Sequence, residues 1–225
     1  MFKLTYYSKS ITITPLPNII IHNLINLSLI LLLLTMRLDI IHHNVRHWGH
    51  HKNDLSNYYL QHNPDVISIN SHGLNTDSNK FVKIFSYSNL TSGTGLHSGT
   101  ALLTRTNIKH AHFKTTMDPN SLYSIIHSDH GKILIFSLYR PPRINALPLI
   151  DIKNALNLGL PTIIVGDFNI KHTNFGHNNT DNLGTLFNTF ANQNSLHFLG
   201  PNFKTFFSNI NSGTPDLVFS FESGH

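Results

Sequence analysis

The chain has 225 residues, 40% of them hydrophobic and 10% aromatic, enough for one well-buried domain of ordinary globular composition. Charged residues make up only 12%, so Asn, Ser, Thr and His must supply much of the polar surface. Sixteen Lys and Arg against eleven Asp and Glu give a formal charge of +5, a balance that favours a polyanionic partner through phosphate contacts and counterion release. The absence of cysteine excludes disulfides, Cys-ligated zinc and a thiol nucleophile, and fits a reducing compartment.

The first feature along the chain is an apolar run at residues 24–34, preceded by Lys3 and Lys9. Its 11 residues fall short of the ~20 needed to span a bilayer, and no small-residue cleavage site follows Leu34. Residues 1–35 are therefore expected to be a leader without function, with a membrane anchor or uncleaved signal and a packed helix as alternatives. Met36 then opens a domain over residues 36–225. Within it, His42, His43, His47, His50 and His51 crowd together, but no carboxylate accompanies them and their spacing matches no regular zinc pattern.

Residues 38–41 read as a strand. Helical spacing over residues 54–62 stops at Asn63-Pro64, where proline disfavours helix in the residue before it, and residues 65–69 form the next strand. The glycines of residues 91–99 match neither phosphate-binding fingerprint and are expected to turn the chain into a strand over residues 100–104. Strands over residues 123–127 and 132–138 flank a four-residue turn and form a hairpin. A helix over residues 151–158, a strand over residues 162–165 and a helix over residues 184–193 complete an interleaved order that argues for mixed sheets covered by helices.

The chemistry concentrates where the apolar strand runs into Gly166-Asp167-Phe168-Asn169. Strand alternation would put Asp167 and Asn169 on one side, where a carboxylate could take a proton from a water that the carboxamide orients. The same four residues also suit a plain turn. Asn44 after the first strand, Tyr139 in Tyr139-Arg140-Pro141-Pro142, Asp216 in Thr214-Pro215-Asp216, and His172 in Lys171-His172-Thr173-Asn174-Phe175-Gly176 favour the chemical reading.

The order and spacing of these motifs, over residues 37 to about 220, resemble the endonuclease/exonuclease/phosphatase superfamily. Within it they are most similar to the apurinic-type endonuclease domain of jockey-like non-LTR retrotransposons. Gly166-Asp167-Phe168-Asn169, followed by Lys171 to Gly176 and Asn182-Leu183-Gly184, carries most of the likeness. The resemblance implies an α/β fold, a four-layer α-β-β-α sandwich with two mixed β-sheets. It also implies Mg2+ or Mn2+ with no small-molecule cofactor, DNA as substrate, and a nick that leaves a 3′-hydroxyl. That hydroxyl would prime the reverse transcriptase region of the same element, in the nucleus. Carried over by position, Asp167 would orient or deprotonate the attacking water, Tyr139 would donate to the developing charge, and Asp216 would hold a histidine. Asn44, Asn169 and Arg140 would contact the phosphate, with Asn44 and the residue at position 71 on the metal side. His172 is expected to shape its loop.

Two departures temper the expectation of activity. Ser71 stands where the family has its metal-ligand Glu, and a neutral hydroxyl is a poor substitute for an anionic oxygen around a hard cation; His72 or Asp39 is the candidate compensation. The family's terminal Ser-Asp-His segment is not matched before His225. The expected function is an impaired metal-dependent endonuclease, with an inactive nucleic-acid-binding remnant or a phosphatase of the same superfamily as the alternatives.

Overall fold

In the computed structural model the described residues are 2–7, 10–15, 38–74, 82–93, 95, 98–128, 131–200, 206–207, 212–213 and 215–222. The apolar run at residues 24–34 lies outside them. Among the described residues no helix is long and apolar enough to cross a membrane.

Fourteen strands are described. The first sheet contains β1 (Phe2–Tyr7), β2 (Ser10–Pro15), β3 (Ile40–Asn44), β4 (Val66–Asn70), β5 (Tyr87–Ser92) and β6 (Thr100–Arg105), in the order β1-β2-β3-β4-β6-β5. The second contains β7 (His110–Lys114), β8 (Ser121–Ser128), β9 (Gly131–Tyr139), β10 (Thr162–Asp167), β11 (Leu196–Gly200) and β14 (Asp216–Phe221), in the order β11-β14-β10-β9-β8-β7. β12 (Phe206–Phe207) and β13 (Ser212–Gly213) form a separate short pair. Each large sheet is mixed: β3 runs parallel to β4 and β9 parallel to β10, while the other pairings are antiparallel.

Each parallel pair needs a crossover, and a helix supplies it: α1 (Trp48–His62) between β3 and β4, and α2 (Leu149–Leu156) between β9 and β10. A third helix, α3 (Asn182–Gln193), packs on the second sheet. Three apolar layers result. Trp48 and Tyr59 of α1 pack on Ile41, Ile67, Ile69, Ala101 and Leu103 of the first sheet. Ile40, Val66 and Leu102 meet Ile133, Ile135, Ile163, Val165 and Val218 between the sheets. Leu134, Phe136, Leu138, Ile164 and Phe219 meet Ile152, Ala155, Phe187 and Ala191 of the outer helices. This is the four-layer α-β-β-α sandwich expected.

The helices begin earlier than their apolar spacing suggests. α1 starts at Trp48 rather than at residue 54, because the Trp48 ring is buried against the first sheet and the Trp48 main-chain N–H donates to the His72 carbonyl at 2.9 Å. It ends as expected: Asn63 is left-handed, and its N–H closes the last turn onto Tyr59. α3 begins at Asn182, capped by the Asp181 carboxylate, which accepts from the Gly184 N–H at 2.6 Å.

Gly166 shows how tightly the site strand is packed. A Cβ at this position would lie 1.9 Å from the Leu138 carbonyl oxygen of the neighbouring strand. Gly166→Ala must therefore push β9 and β10 apart, at a cost of about 2–3 kcal/mol. The expected result is a thermal midpoint lowered by roughly 5–10 °C in calorimetry; an unchanged midpoint would show that the strands separate freely.

Candidate active site

Parallel pairing places the C-terminal ends of β3 and β4 together, and likewise those of β9 and β10. Antiparallel pairing brings the starts of β6 and β14 to the same end. The registers are specific: Tyr139, Asp167 and Asp216 are direct cross-strand neighbours in the second sheet, and Asn44, Asn70 and Thr100 in the first. Because residues two apart share a face, both rows continue the inward faces that carry Ile135, Val165 and Val218, and Ile40, Val66 and Leu102. The two polar rows therefore face one another across the end of the inter-sheet core.

Asp167 is the centre of this arrangement. Its residue is 3% exposed. Its main-chain N–H donates to Asn70 Oδ1 at 2.9 Å, from one sheet to the other. The Asn44 Nδ2 amide donates to Asp167 Oδ2, while Asp167 Oδ1 and Asn44 Oδ1 are buried without a hydrogen-bond partner. Burial pushes the Asp167 carboxyl well above the usual carboxylate range, the charge of Asp216 pushes it further, and the Asn169 and Asn44 amides oppose the rise.

Asn169 does not continue the strand. β10 ends at Asp167, Phe168 is buried among the residues beneath the outer helices, and Asn169 takes a left-handed backbone with φ of 49°. Simple alternation from Asp167 to Asn169 is thus corrected: a turn, rather than the pleat, returns the Asn169 amide toward Asp167. Its Nδ2 also donates to the Arg140 carbonyl at 2.9 Å.

Tyr139 is buried at the end of β9 beside Ser71. Burial raises its phenol above the ordinary value, with Ser71, Arg46 and Arg140 acting in the opposite direction. The group therefore remains a protonated donor at neutral pH. Ser71 is itself buried in a left-handed conformation with φ of 55°.

Arg140, expected at the substrate phosphate, is a correction. Its Nε donates to the Phe168 carbonyl at 2.7 Å and its two terminal nitrogens donate to the Ile144 and Asn169 carbonyls. A guanidinium spent on three main-chain acceptors and 6% exposed fixes the loops after β9 and β10 rather than reaching outward. Neither suggested replacement for the missing Glu serves. Asp39 precedes β3, at the opposite end of the strand from Asn44. His72 uses both ring nitrogens: Nδ1 accepts from the Leu74 N–H, and Nε2 donates to the Ser92 carbonyl. Burial also lowers its pKa. His172 shapes its loop as expected, its ring accepting from the Asn174 N–H at the start of the 3-10 turn Thr173–Phe175.

The crowded histidines divide between faces. His42 points inward, where Nε2 lies 3.3 Å from Asp216 Oδ1 and Nδ1 lies 2.9 Å from Ser68 Oγ. His43 points outward to the Tyr59 hydroxyl at 2.8 Å. His47 and His50 pair at the start of α1. Sequence reasoning missed His42, Asn70 and Ser68. The available signal was polar residues on alternating positions of apolar strands, Ile40-His42-Asn44 and Val66-Ser68-Asn70.

Comparison with known proteins agrees with this architecture. Residues 133–224 match the family described as endonuclease-reverse transcriptase. The endonuclease domain of TRAS1, a telomere-specific non-LTR retrotransposon, superposes with a TM-score of 0.68 at 18% identity, over 80% of this chain and 82% of that one. The fold is one shared with endonuclease/exonuclease/phosphatase family proteins of known structure. An AP endonuclease from Leishmania major shares it, with a TM-score of 0.64 at 12% identity over 81% of this chain and 78% of that one. A mannosyl-6-phosphatase from Bacteroides thetaiotaomicron does so with a TM-score of 0.55 at 17% identity, over 83% and 86%. No curated protein matches the sequence.

The raised pKa of Asp167 makes the site costly to hold when it is ionised. The folded state binds this proton more tightly than the unfolded chain does, so its contribution to stability is present below the unfolded pKa of about 3.9. It is lost as pH rises toward the raised folded value. Asp167→Asn is expected to be more stable than the wild type at pH 7, by about 1–2 kcal/mol, and to lack this pH dependence. Denaturant unfolding of the metal-free proteins between pH 4 and pH 8 reads both effects; equal stabilities throughout would show that Asp167 carries no such burden.

Proposed function

We propose that this protein is a metal-dependent DNA endonuclease domain of a non-LTR retrotransposon. The observation that carries the reading is the buried, uncompensated Oδ1 of Asp167 beside the unpartnered Oδ1 of Asn44, in a row with Tyr139 and Asp216. The match of residues 133–224 to the endonuclease-reverse transcriptase family and the likeness to the TRAS1 endonuclease domain support this choice of substrate within the superfamily.

The donor set fits a hard divalent cation such as Mg2+ or Mn2+, because it offers oxygen and leaves buried lone pairs unfilled. Asn44 and Ser71 would hold the cation with neutral oxygens, and the Asp167–Asp216 pair would supply the anionic field. When bound, the cation supplies Lewis-acid charge that polarises the phosphate and stabilises the leaving oxygen. Without a glutamate at position 71, its affinity is expected to be weak, on the order of millimolar.

The residues divide the reaction among them. Asp167, with its raised pKa, accepts a proton from the attacking water more readily than an ordinary carboxylate would near neutral pH. The Tyr139 hydroxyl donates to the charge that develops on a phosphate oxygen, and the Asn169 amide, which donates to the Arg140 carbonyl and faces Asp167, holds the accepting carboxylate in place. The water oxygen bonds to phosphorus as the P–O3′ bond breaks. The water's proton goes to Asp167, and O3′ takes a proton from solvent to leave as a hydroxyl. The resulting 3′-hydroxyl is the primer end that a reverse transcriptase region of the same element would extend on chromosomal DNA.

The test is nicking of supercoiled plasmid by the full chain with Mg2+ or Mn2+, with EDTA as control. Asp167→Ala is expected to lower the rate by at least ~100-fold, and Tyr139→Phe by ~10–100-fold. Nicking that persists in EDTA or in Asp167→Ala would overturn the assignment. A folded protein that only binds DNA, with affinity falling steeply as salt rises, would instead establish a nucleic-acid-binding remnant.

A further inference from the structure

One buried polar cluster meets the reaction above only at Asp216. His42 is 1% exposed and lies one inward position below Asn44 on β3. It bridges the sheets from Asp216 on β14 to Ser68 on β4, and Ser68 Oγ lies 2.7 Å from Ser137 Oγ on β9. His42, Ser68 and Ser137 lie one level below the catalytic rows, and Asp216 stands in the row above them.

We infer that His42 is a positioning residue, which holds the Asp216 carboxylate in place beside Asp167 from the opposite sheet. The inference rests on the metal site of the endonuclease reading and assigns a task to a residue that touches neither substrate nor cation.

An ionised carboxylate can only accept, so the His42 nitrogen facing Asp216 carries the hydrogen. For a neutral imidazole the other nitrogen then accepts from Ser68, and Ser68 accepts from Ser137. One ordering satisfies every link, and it ends on Asp216. Ser137 lies one inward position below Tyr139, Ser68 below Asn70 and His42 below Asn44, so the chain underlies the residues of both catalytic rows. Asp216 is also the group whose charge raises the carboxyl of Asp167, so its rotamer sets the field at the cation site.

The identity of the side chain argues for this task. Neighbouring inward positions are occupied by Val165, Val218 and Leu102, and a leucine would bury more cheaply at position 42 than an imidazole, whose desolvation must be offset by hydrogen bonds. Burial also separates the role of His42 from proton transfer to substrate, since its residue is 1% exposed. Partners around a ligating group typically change metal affinity by ~10–100-fold when removed.

Glutamine and asparagine distinguish the two ring nitrogens. The glutamine of H42Q extends an amide toward Asp216 as His42 Nε2 does, whereas the shorter side chain in H42N reaches only as far as Nδ1, toward Ser68. Both are polar and similarly suited to the site, so a difference between them reports contact with Asp216 rather than general disruption. Mn2+ binding to the full chain, followed by electron paramagnetic resonance with thermal midpoints measured in parallel, is the primary readout; kcat and KM for plasmid nicking are the second. H42N is expected to bind Mn2+ ~10-fold more weakly and to lose kcat at little-changed KM, while H42Q retains most of both. Combining H42N with Asp216→Asn is expected to add nothing to the larger single loss. Equal Mn2+ affinity in wild type, H42N and H42Q, additive losses in the double variant, or no Mn2+ binding by folded wild type would overturn the inference. Mn2+ binding with the expected order of variants but no nicking would uphold the role of His42 and remove only the endonuclease reading.

Discussion

The hydrogen bond from the Asp167 main-chain N–H to Asn70 Oδ1, 2.9 Å long and buried, is the contact on which the rest of the site depends. It joins the end of one sheet to the end of the other at the centre of the candidate site. Asn70 is held in turn by its Nδ2 donating to Thr100 Oγ1, and that hydroxyl donates to the Asn120 carbonyl, which also accepts from the Tyr139 N–H. The backbones of Tyr139 and Asp167 are thereby referenced to the first sheet through side chains on strands or beside them. A constellation built in this way is fixed by the scaffold rather than by mobile loops. Loss of the Asn70 carbonyl would leave a buried N–H unmet, at a cost of about 1–3 kcal/mol.

The inter-sheet space changes character along the strands. At one level it is aliphatic, with Ile40, Val66, Ile135 and Ile163. One inward position further His42, Ser68 and Ser137 join Leu102, Val165 and Val218, and one further still come the two polar rows of the candidate site. Apolar burial supplies the stability that offsets the charged end, and the low-dielectric surroundings strengthen every electrostatic interaction placed there. The shift in Asp167 follows from that location, since burial is its largest cause and the neighbouring Asp216 the second.

Much of this is legible in the sequence because it is local. The strand running into Gly166-Asp167 is recognisable from its apolar run and its glycine, and the hairpin of β8 and β9 from its spacing. What is not legible depends on partners distant along the chain. His42 meets Ser68 across 26 residues and Asp216 across 174, so a histidine in a crowded run cannot be told from its surface neighbours. Arg140 sits in a motif that suggests phosphate contact, yet its guanidinium is directed by the carbonyls of a loop 28 residues away. The start of α1 is hidden because Trp48 is anchored by tertiary packing, while the periodic pattern begins only at Leu55. Alternation would bring Asn169 to Asp167 through the pleat, but the strand has already ended there and a left-handed turn returns the amide instead.

Three strands at the site end are followed within two residues by a non-glycine residue with left-handed backbone: Arg46 after β3, Ser71 after β4 and Asn169 after β10, with φ of 52°, 55° and 49°. Such conformations cost side-chain-bearing residues roughly 1–2 kcal/mol, and at position 71 the side chain is also enclosed beside Tyr139. Serine already carries that backbone cost, so a larger side chain there would be opposed by the enclosure rather than by the turn. Position 71 is therefore closed to simple enlargement: serine already holds the left-handed turn, so the space around its hydroxyl decides which side chains fit.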